Sequence, residues 1–252
     1  MRLVFPNNFI TRLIIDAAPI ELKGSIEFKP SSLLTSEILK DDNAAALIPV
    51  TDLLKYHDLF VSKSFGISFE GSLCNSFIYF SSGEWKINEI YLSGDITTLE
   101  AIFVKILFKE IYDSETEIKI NTSSKLPIDN NSLLVGDENF HGNLLSRGIS
   151  FSDEIIELIS LPFVNFILAS KNEKKLKEIN EQLPNIQNGI YESIEQGKID
   201  PDFSEAASEY IKKNVSSIVL NLDTNDIEGI NQLIRLPYYH GIVKEIIEIK
   251  LV

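Results

Sequence analysis

The chain has 252 residues, 44% of them hydrophobic and 24% charged, with a formal net charge of −14. That is ample apolar material for one large core or two modest ones. The acidic balance excludes a nucleic-acid surface, which needs clustered Lys and Arg, and the single cysteine, Cys74, excludes an intrachain disulfide or a multi-cysteine metal site.

Along the chain, Met1-Arg2-Leu3-Val4-Phe5 is interrupted by Pro6 and then Asn7-Asn8. It lacks the apolar run and small-residue cleavage site of a secretory signal, so a cytoplasmic location is expected. No segment approaches the ~18 consecutive apolar residues of a membrane span, so no membrane partner is expected. Ala44 to Val50 is a continuous apolar run containing Pro49, the pattern of a strand buried on both faces. Cys74 has only Leu73, Asn75 and Ser76 beside it, none of them a base, and reads as a buried inert thiol. Ser76-Phe77-Ile78-Tyr79-Phe80-Ser81, bounded by Ser82-Gly83, predicts a strand. Ile87 to Leu92 predicts another, ending at Ser93-Gly94-Asp95.

Thr97-Thr98-Leu99-Glu100 is a capping box, and Leu99, Ile102, Phe103, Ile106, Leu107 and Ile111 follow at helical spacing. A helix to about Tyr112 is therefore predicted. Strands follow at Glu117 to Asn121, at Ser132 to Val135 stopping at Gly136-Asp137, and at Val164 to Ala169, entered through Leu161-Pro162-Phe163. Asp153, Glu154 and Glu157 read as a solvated helix face. After Ser170 the chain becomes mainly helical, over 172–182, 186–196, 202–213 and 225–236, punctuated by Pro184, Pro201 and Pro237. The lysine-rich stretch from Lys171 to Lys177 reads as a solvated helix start. His57, His141 and His240 have no ligand spacing, and no metal is assigned to them.

No internal repeat and no Pro/Gly/Ser linker is present. The pattern predicts an α/β protein of two lobes with mixed, mostly parallel sheets and a helical C-terminal region. The expected division puts residues 1–79 and 171–252 in lobe 1 and residues 80–170 in lobe 2, with a ligand cleft between them.

A series of collinear motifs resembles the chorismate dehydratase family of the futalosine route to menaquinone, and more distantly the dihydroxynaphthoate synthase of that pathway. They are Ala46-Leu47-Ile48-Pro49; Gly66-Ile67-Ser68 with Gly71; the Ser76 to Ser81 strand; Thr97-Thr98; Leu134-Val135-Gly136-Asp137; Leu161-Pro162-Phe163-Val164; and Asp226-Ile227-Glu228-Gly229-Ile230. The match covers most of the chain. The resemblance implies a type II periplasmic-binding-protein-like fold, cytoplasmic residence and a hydro-lyase reaction needing no cofactor. There are departures. Pro6-Asn7-Asn8 stands where the family has Tyr-Leu-Asn, Val50 where it has a serine, and Thr97-Thr98 where it has Thr-Ser. Ile155, Ile159 and Ser160 replace a Trp-x-x-x-Thr-Gly run.

The family reaction removes water from chorismate to give 3-[(1-carboxyvinyl)oxy]benzoate. Aromatisation drives it, so the protein must position a dianion and handle its charge. A substrate carboxylate can itself take the proton, so no His or Glu base is required. By the resemblance, Asn8 and Ser76 are the catalytic residues; Thr97 and Thr98 at a helix start, and Gly136 and Asp137 at a strand's carboxyl end, are expected in the substrate site. Free N–H groups and hydroxyls at the start of the 97–112 helix suit a carboxylate. Turn, cap and strand-end roles explain each of these residues equally well. The alternative function is a non-catalytic protein that binds a small carboxylate on the same fold, which Val50, Ile155 and Ile159 favour by removing polar groups from the expected cleft walls. A secreted solute receptor is disfavoured by the N-terminus.

Overall fold

The computed structural model of the chain describes residues 2–81, 87–123, 130–183 and 186–252. Met1, the Ser82-Gly83 pair and Pro184 lie outside the described residues. In chain order come β1 (Arg2–Pro6), α1 (Phe9–Ala17), α2 (Ile20–Lys23), β2 (Ile26–Lys29), a 3-10 turn (Ser31–Leu33) running into α3 (Leu34–Lys40), and β3 (Ala44–Pro49). A second 3-10 turn (Val50–Leu54) precedes the long β4 (Phe60–Phe69). Next are β5 (Ser76–Tyr79), β6 (Glu89–Gly94), α4 (Thr98–Glu110), β7 (Glu117–Ile120), β8 (Ser132–Val135), β9 (Ile149–Ser150) and α5 (Phe151–Ile159). The chain closes with β10 (Phe163–Ser170), α6 (Glu173–Asn180), α7 (Ile186–Glu195), α8 (Glu205–Asn214), β11 (Ile218–Asn221), α9 (Thr224–Tyr239) and β12 (Lys250–Leu251).

Two sheets result. The first runs β11-β4-β10-β3-β1-β2, with β12 also paired to β4; the second runs β7-β6-β8-β5-β9. Ala44, Ala45, Ala46, Leu47 and Ile48 are wholly buried, because β3 has strands on both edges and packed layers on both faces. Helix α1 buries Phe9, Ile10, Leu13 and Ile14 on one side. It lies close to α7, where a Cβ at Gly189 would come within 2.7 Å of the Ala17 Cβ. The capping box forms as expected at α4: the Leu99 N–H donates to Thr97 Oγ1 (3.1 Å) and the Thr97 N–H to Glu100 Oε2 (2.8 Å).

The fold class is the mixed α/β one expected, with two differences of detail. Among the described residues the ten strand pairings divide evenly, five parallel and five antiparallel. The parallel share is smaller than expected because the strands that carry the chain between sheets, β4, β5 and β10, run against their neighbours, the short β12 beside β4 excepted. The chain leaves the first sheet after Phe69, enters the second at Ser76, and re-enters the first at Phe163. Strand pairing thus puts β5 in the second sheet and β10 in the first, whereas the expected division grouped them with residues 1–79 and 80–170 respectively. An apolar run shows that a strand is buried, but not in which sheet.

Three further elements depart from the reading above. β1 is a strand despite Pro6, because Pro6 is its last residue; Leu3, Val4 and Phe5 are wholly buried. The expected 202–213 helix begins at Glu205, with the Ser204 hydroxyl accepting from the Ala207 N–H. Pro237 does not stop α9 but sits buried in its last turn, where only one helical bond is forfeited. Cys74 is 1% exposed, in the segment that crosses between the sheets. Its Sγ lies 2.9 Å from the Ser76 carbonyl oxygen and 3.6 Å from Ser150 Oγ.

Candidate functional site

The parallel ladders of the two sheets turn their carboxyl ends toward each other. From the first sheet, β1 delivers Asn7, β2 delivers Pro30 and Ser31, and β3 delivers Thr51 and Asp52. From the second, neighbouring parallel strands β6 and β8 both end in Gly-Asp, as Gly94-Asp95 and Gly136-Asp137. Between them lies a groove of about 410 Å3. Asn7, Arg12, Phe28, Lys29 and Pro30 line one side; Gly94, Asp95, Val135, Gly136, Asp137 and Glu138 line the other. This is where open α/β sheets place ligands.

The glycines aim the aspartates. Gly94 has φ +91°, and a Cβ there would stand 1.9 Å from the Val135 carbonyl oxygen, so only glycine fits. Held by a bond from its own N–H to that carbonyl (2.9 Å), Asp95 reaches across the groove. Its carboxylate accepts from the Ser31 N–H (2.9 and 3.1 Å) and from Ser31 Oγ (2.6 Å). Asp137 does the same one strand over. It accepts from the Phe9 N–H at the start of α1 (2.9 Å) and from Arg12 Nη2 (2.6 Å), while Arg12 also reaches Asp200 (3.2 Å). With Arg12 37% exposed, the ion pair itself is discounted to about 0–1 kcal/mol. A backbone N–H donating to an ionised carboxylate is worth about 1.5–3 kcal/mol.

A third contact runs the other way. Asp52 of the first sheet accepts from Thr98 Oγ1 (2.9 Å) and from the Thr35 hydroxyl, and Thr51 Oγ1 lies 2.9 Å from Thr98 Oγ1. Burial pushes the Asp52 carboxyl above its ordinary range, and the two hydroxyls pull it part of the way back. Beneath the second wall, buried Asn139 donates to the carbonyls of Asn75, Leu134 and Gly136 and accepts from Tyr79 Oη, fixing the 136–140 loop. Phe140 closes the arrangement. Its ring centroid is 4.7 Å from Phe9, 5.2 Å from Phe203 and 6.0 Å from Phe77, so aromatic rings from both sheets' surroundings interlock.

The residues named from sequence are distributed unevenly about this groove. Gly136 and Asp137 line it. Asn8 is 3% exposed and caps α1, its Oδ1 accepting from the Thr11 N–H (3.0 Å). Ser76 is 1% exposed in β5, opposite Val135, with Oγ donating to Asn75 Oδ1 at 3.3 Å. Neither lines the groove, so the two do not share a hollow there. Thr97 is taken up by its capping box, and Thr98, which is exposed, by Asp52. Val50 and Ile155 are wholly buried core residues rather than groove walls. Arg12, Ser31, Asp95 and Asn139 were not named from sequence. The repeated Gly-Asp at two strand ends was the available signal for Asp95. Nothing local marked Arg12 or Ser31, whose partners lie 125 and 64 residues away. No group of three His, Cys, Asp or Glu side chains among the described residues could hold a metal ion.

Two sheets with facing carboxyl ends and two chain crossings define the periplasmic-binding-protein type of α/β fold. Solved structures of that type superpose on the chain. The periplasmic aliphatic sulphonate binding protein SsuA from Escherichia coli matches with a TM-score of 0.66 at 9% identity, over 99% of this chain and 90% of that one. Protein AF1704 from Archaeoglobus fulgidus matches with a TM-score of 0.56 at 14% identity, over 96% and 98%. The Candida albicans CA3427 gene product, described as having the generic periplasmic binding protein fold, matches with a TM-score of 0.53 at 12% identity, over 97% and 91%. At such identities the likeness shows the fold alone. No protein-family model and no curated protein sequence matches the chain. Among the described residues no helix is long and apolar enough to cross a membrane.

Proposed function

We propose that the protein binds a small carboxylate in the groove between its two sheets, the strands of each sheet forming one lobe. One observation carries this reading. Two donor sets on the first lobe, the Phe9 N–H with Arg12 and the Ser31 N–H with its Oγ, each hold a carboxylate group at hydrogen-bonding distance, between 2.6 and 3.1 Å. Here the carboxylates are the chain's own, and a ligand carboxylate offers the same atoms to the same seats. Lys29 lines the groove beside them and adds positive charge.

The narrower form of the proposal is a cytoplasmic chorismate dehydratase. The collinear motifs favour it, with Asn8 and Ser76 buried behind the groove walls rather than lining them. Asn8 immediately precedes the Phe9 seat, and Ser76 pairs with Val135, next to Gly136. The step would take one proton from a ring carbon and expel the ring hydroxyl as water. A substrate carboxylate serves as base, and the aromatic enolpyruvyl ether is the product. Purified protein is to be titrated calorimetrically with isophthalate, a stable aromatic dicarboxylate, and incubated with chorismate while aromatic absorbance is followed. Saturable isophthalate binding without turnover establishes a binding protein, and turnover establishes the lyase. Absence of both sinks the proposal.

A further inference from the structure

We infer that Asp95 and Asp137 are built-in occupants of the carboxylate seats, a clasp that sets ligand affinity by holding the two lobes shut until a ligand displaces it. Three features of the molecule lead there. Both aspartates stem from the second sheet, at the ends of adjacent parallel strands, and both spend their oxygens on donors of the first. The donors are those a small anion would need: an N–H at the start of α1, a guanidinium, and a serine N–H with its hydroxyl. Both aspartates follow a glycine of positive φ, and at Gly94 a Cβ would meet the Val135 backbone, so that turn admits glycine alone.

Position in the sheets says which contact governs opening. In the first sheet the chain crossings occur at β4 and β10, on the far side of β3 and β1 from the edge strand β2. Ser31 follows β2, so the Asp95 to Ser31 contact lies farthest from the crossings, where a hinge rotation moves atoms most. Asp137 lies nearer them, beside the Phe140 ring cluster that serves as pivot. A ligand carboxylate and a resident aspartate cannot fill one seat together. Entry of the ligand and release of the clasp are therefore a single competition, and apparent affinity falls by the fraction of molecules in which the seats are free.

Spin labels at the exposed pair Glu21→Cys and Lys109→Cys, one on α2 and one on α4, read the separation of the lobes by pulsed dipolar spectroscopy. In the Asp95→Ala/Asp137→Ala background the unliganded protein is expected to gain a longer-distance population absent from the parent. Should that variant not fold, Asp95→Asn/Asp137→Asn keeps the shape and removes the charge, and Ser31→Ala/Arg12→Gln removes the hydroxyl and the guanidinium while leaving the two backbone N–H donors. An unchanged distance distribution in every folded background overturns the clasp. Given the function proposed above, on which the affinity effect depends, the aspartate variants are also expected to bind isophthalate at least ~10-fold more tightly than the parent, the competitor being gone. Longer distances with no isophthalate binding in any background would sink the carboxylate-binding reading and leave the clasp standing.

Discussion

Phe140→Ala tests whether the two sheets' surroundings are welded by the aromatic cluster. Phe140 is wholly buried and contacts Phe9 of α1, Phe203 before α8 and Phe77 of β5. Truncating a buried phenylalanine costs about 3–5 kcal/mol through lost transfer energy and the cavity left behind. Against a total stability of about 5–15 kcal/mol, that is a large share. At about 2–4 °C per kcal/mol for a chain near this size, the melting temperature should fall by about 6–20 °C. Urea unfolding of Phe140→Ala, Phe9→Ala and the double variant gives the coupling between rings whose centroids are 4.7 Å apart, expected at about 0.5–1.5 kcal/mol. A single-variant loss under ~1 kcal/mol, or additive single effects, would refute the weld.

Ser160 ends α5 with φ +55° and ψ +31°, a left-handed conformation that costs a residue bearing a Cβ about 1–2 kcal/mol. Ser160→Gly should therefore raise stability by roughly 1 kcal/mol, read from the urea midpoint, and a neutral or negative change contradicts that. Glu100 is 1% exposed, and burial raises its carboxyl above 4.5 despite the bonds from Thr97. The folded state then holds the proton more tightly than the unfolded one, so this stabilising contribution is full at low pH and is lost as pH rises above 4.5 through the raised folded value. Glu100→Gln should flatten the decline in stability as pH rises above 4.5, and parallel curves for parent and variant would exclude this account. Ser76→Ala removes one long hydrogen bond and should cost under ~1 kcal/mol in thermal stability. If chorismate is turned over, the same change should lower kcat far more than stability, and equal losses would make Ser76 a structural residue.

Much of the scaffold is written locally. The β3 run, the Thr97 to Glu100 box and the abrupt Gly-Asp after β8 can each be read from a few consecutive residues, and each took its expected form. Partner choice is another matter. Whether Ser76 to Tyr79 joins one sheet or the other depends on pairing with Val135 and Ser150, far along the chain. β1 was hidden by Pro6, since a proline looks like an interruption until it is found to be the strand's final residue. The groove suffers most from this. Hydroxyl and amide side chains at helix starts suggest free donors to a reader of the sequence, yet Asn8, Thr97 and Thr98 are spent on neighbours. The donors that hold carboxylates include two backbone N–H groups, which no residue identity advertises.

The sealed cysteine at the crossing gives the unmodified protein a clock of its own. No other sulfhydryl exists in the chain to confuse the signal. A thiol reagent can reach Cys74 only during the moments when the segment around Ser76 parts from Ser150, so the labelling rate counts those moments directly. Any molecule that stiffens the crossing would slow that count before its chemistry is known.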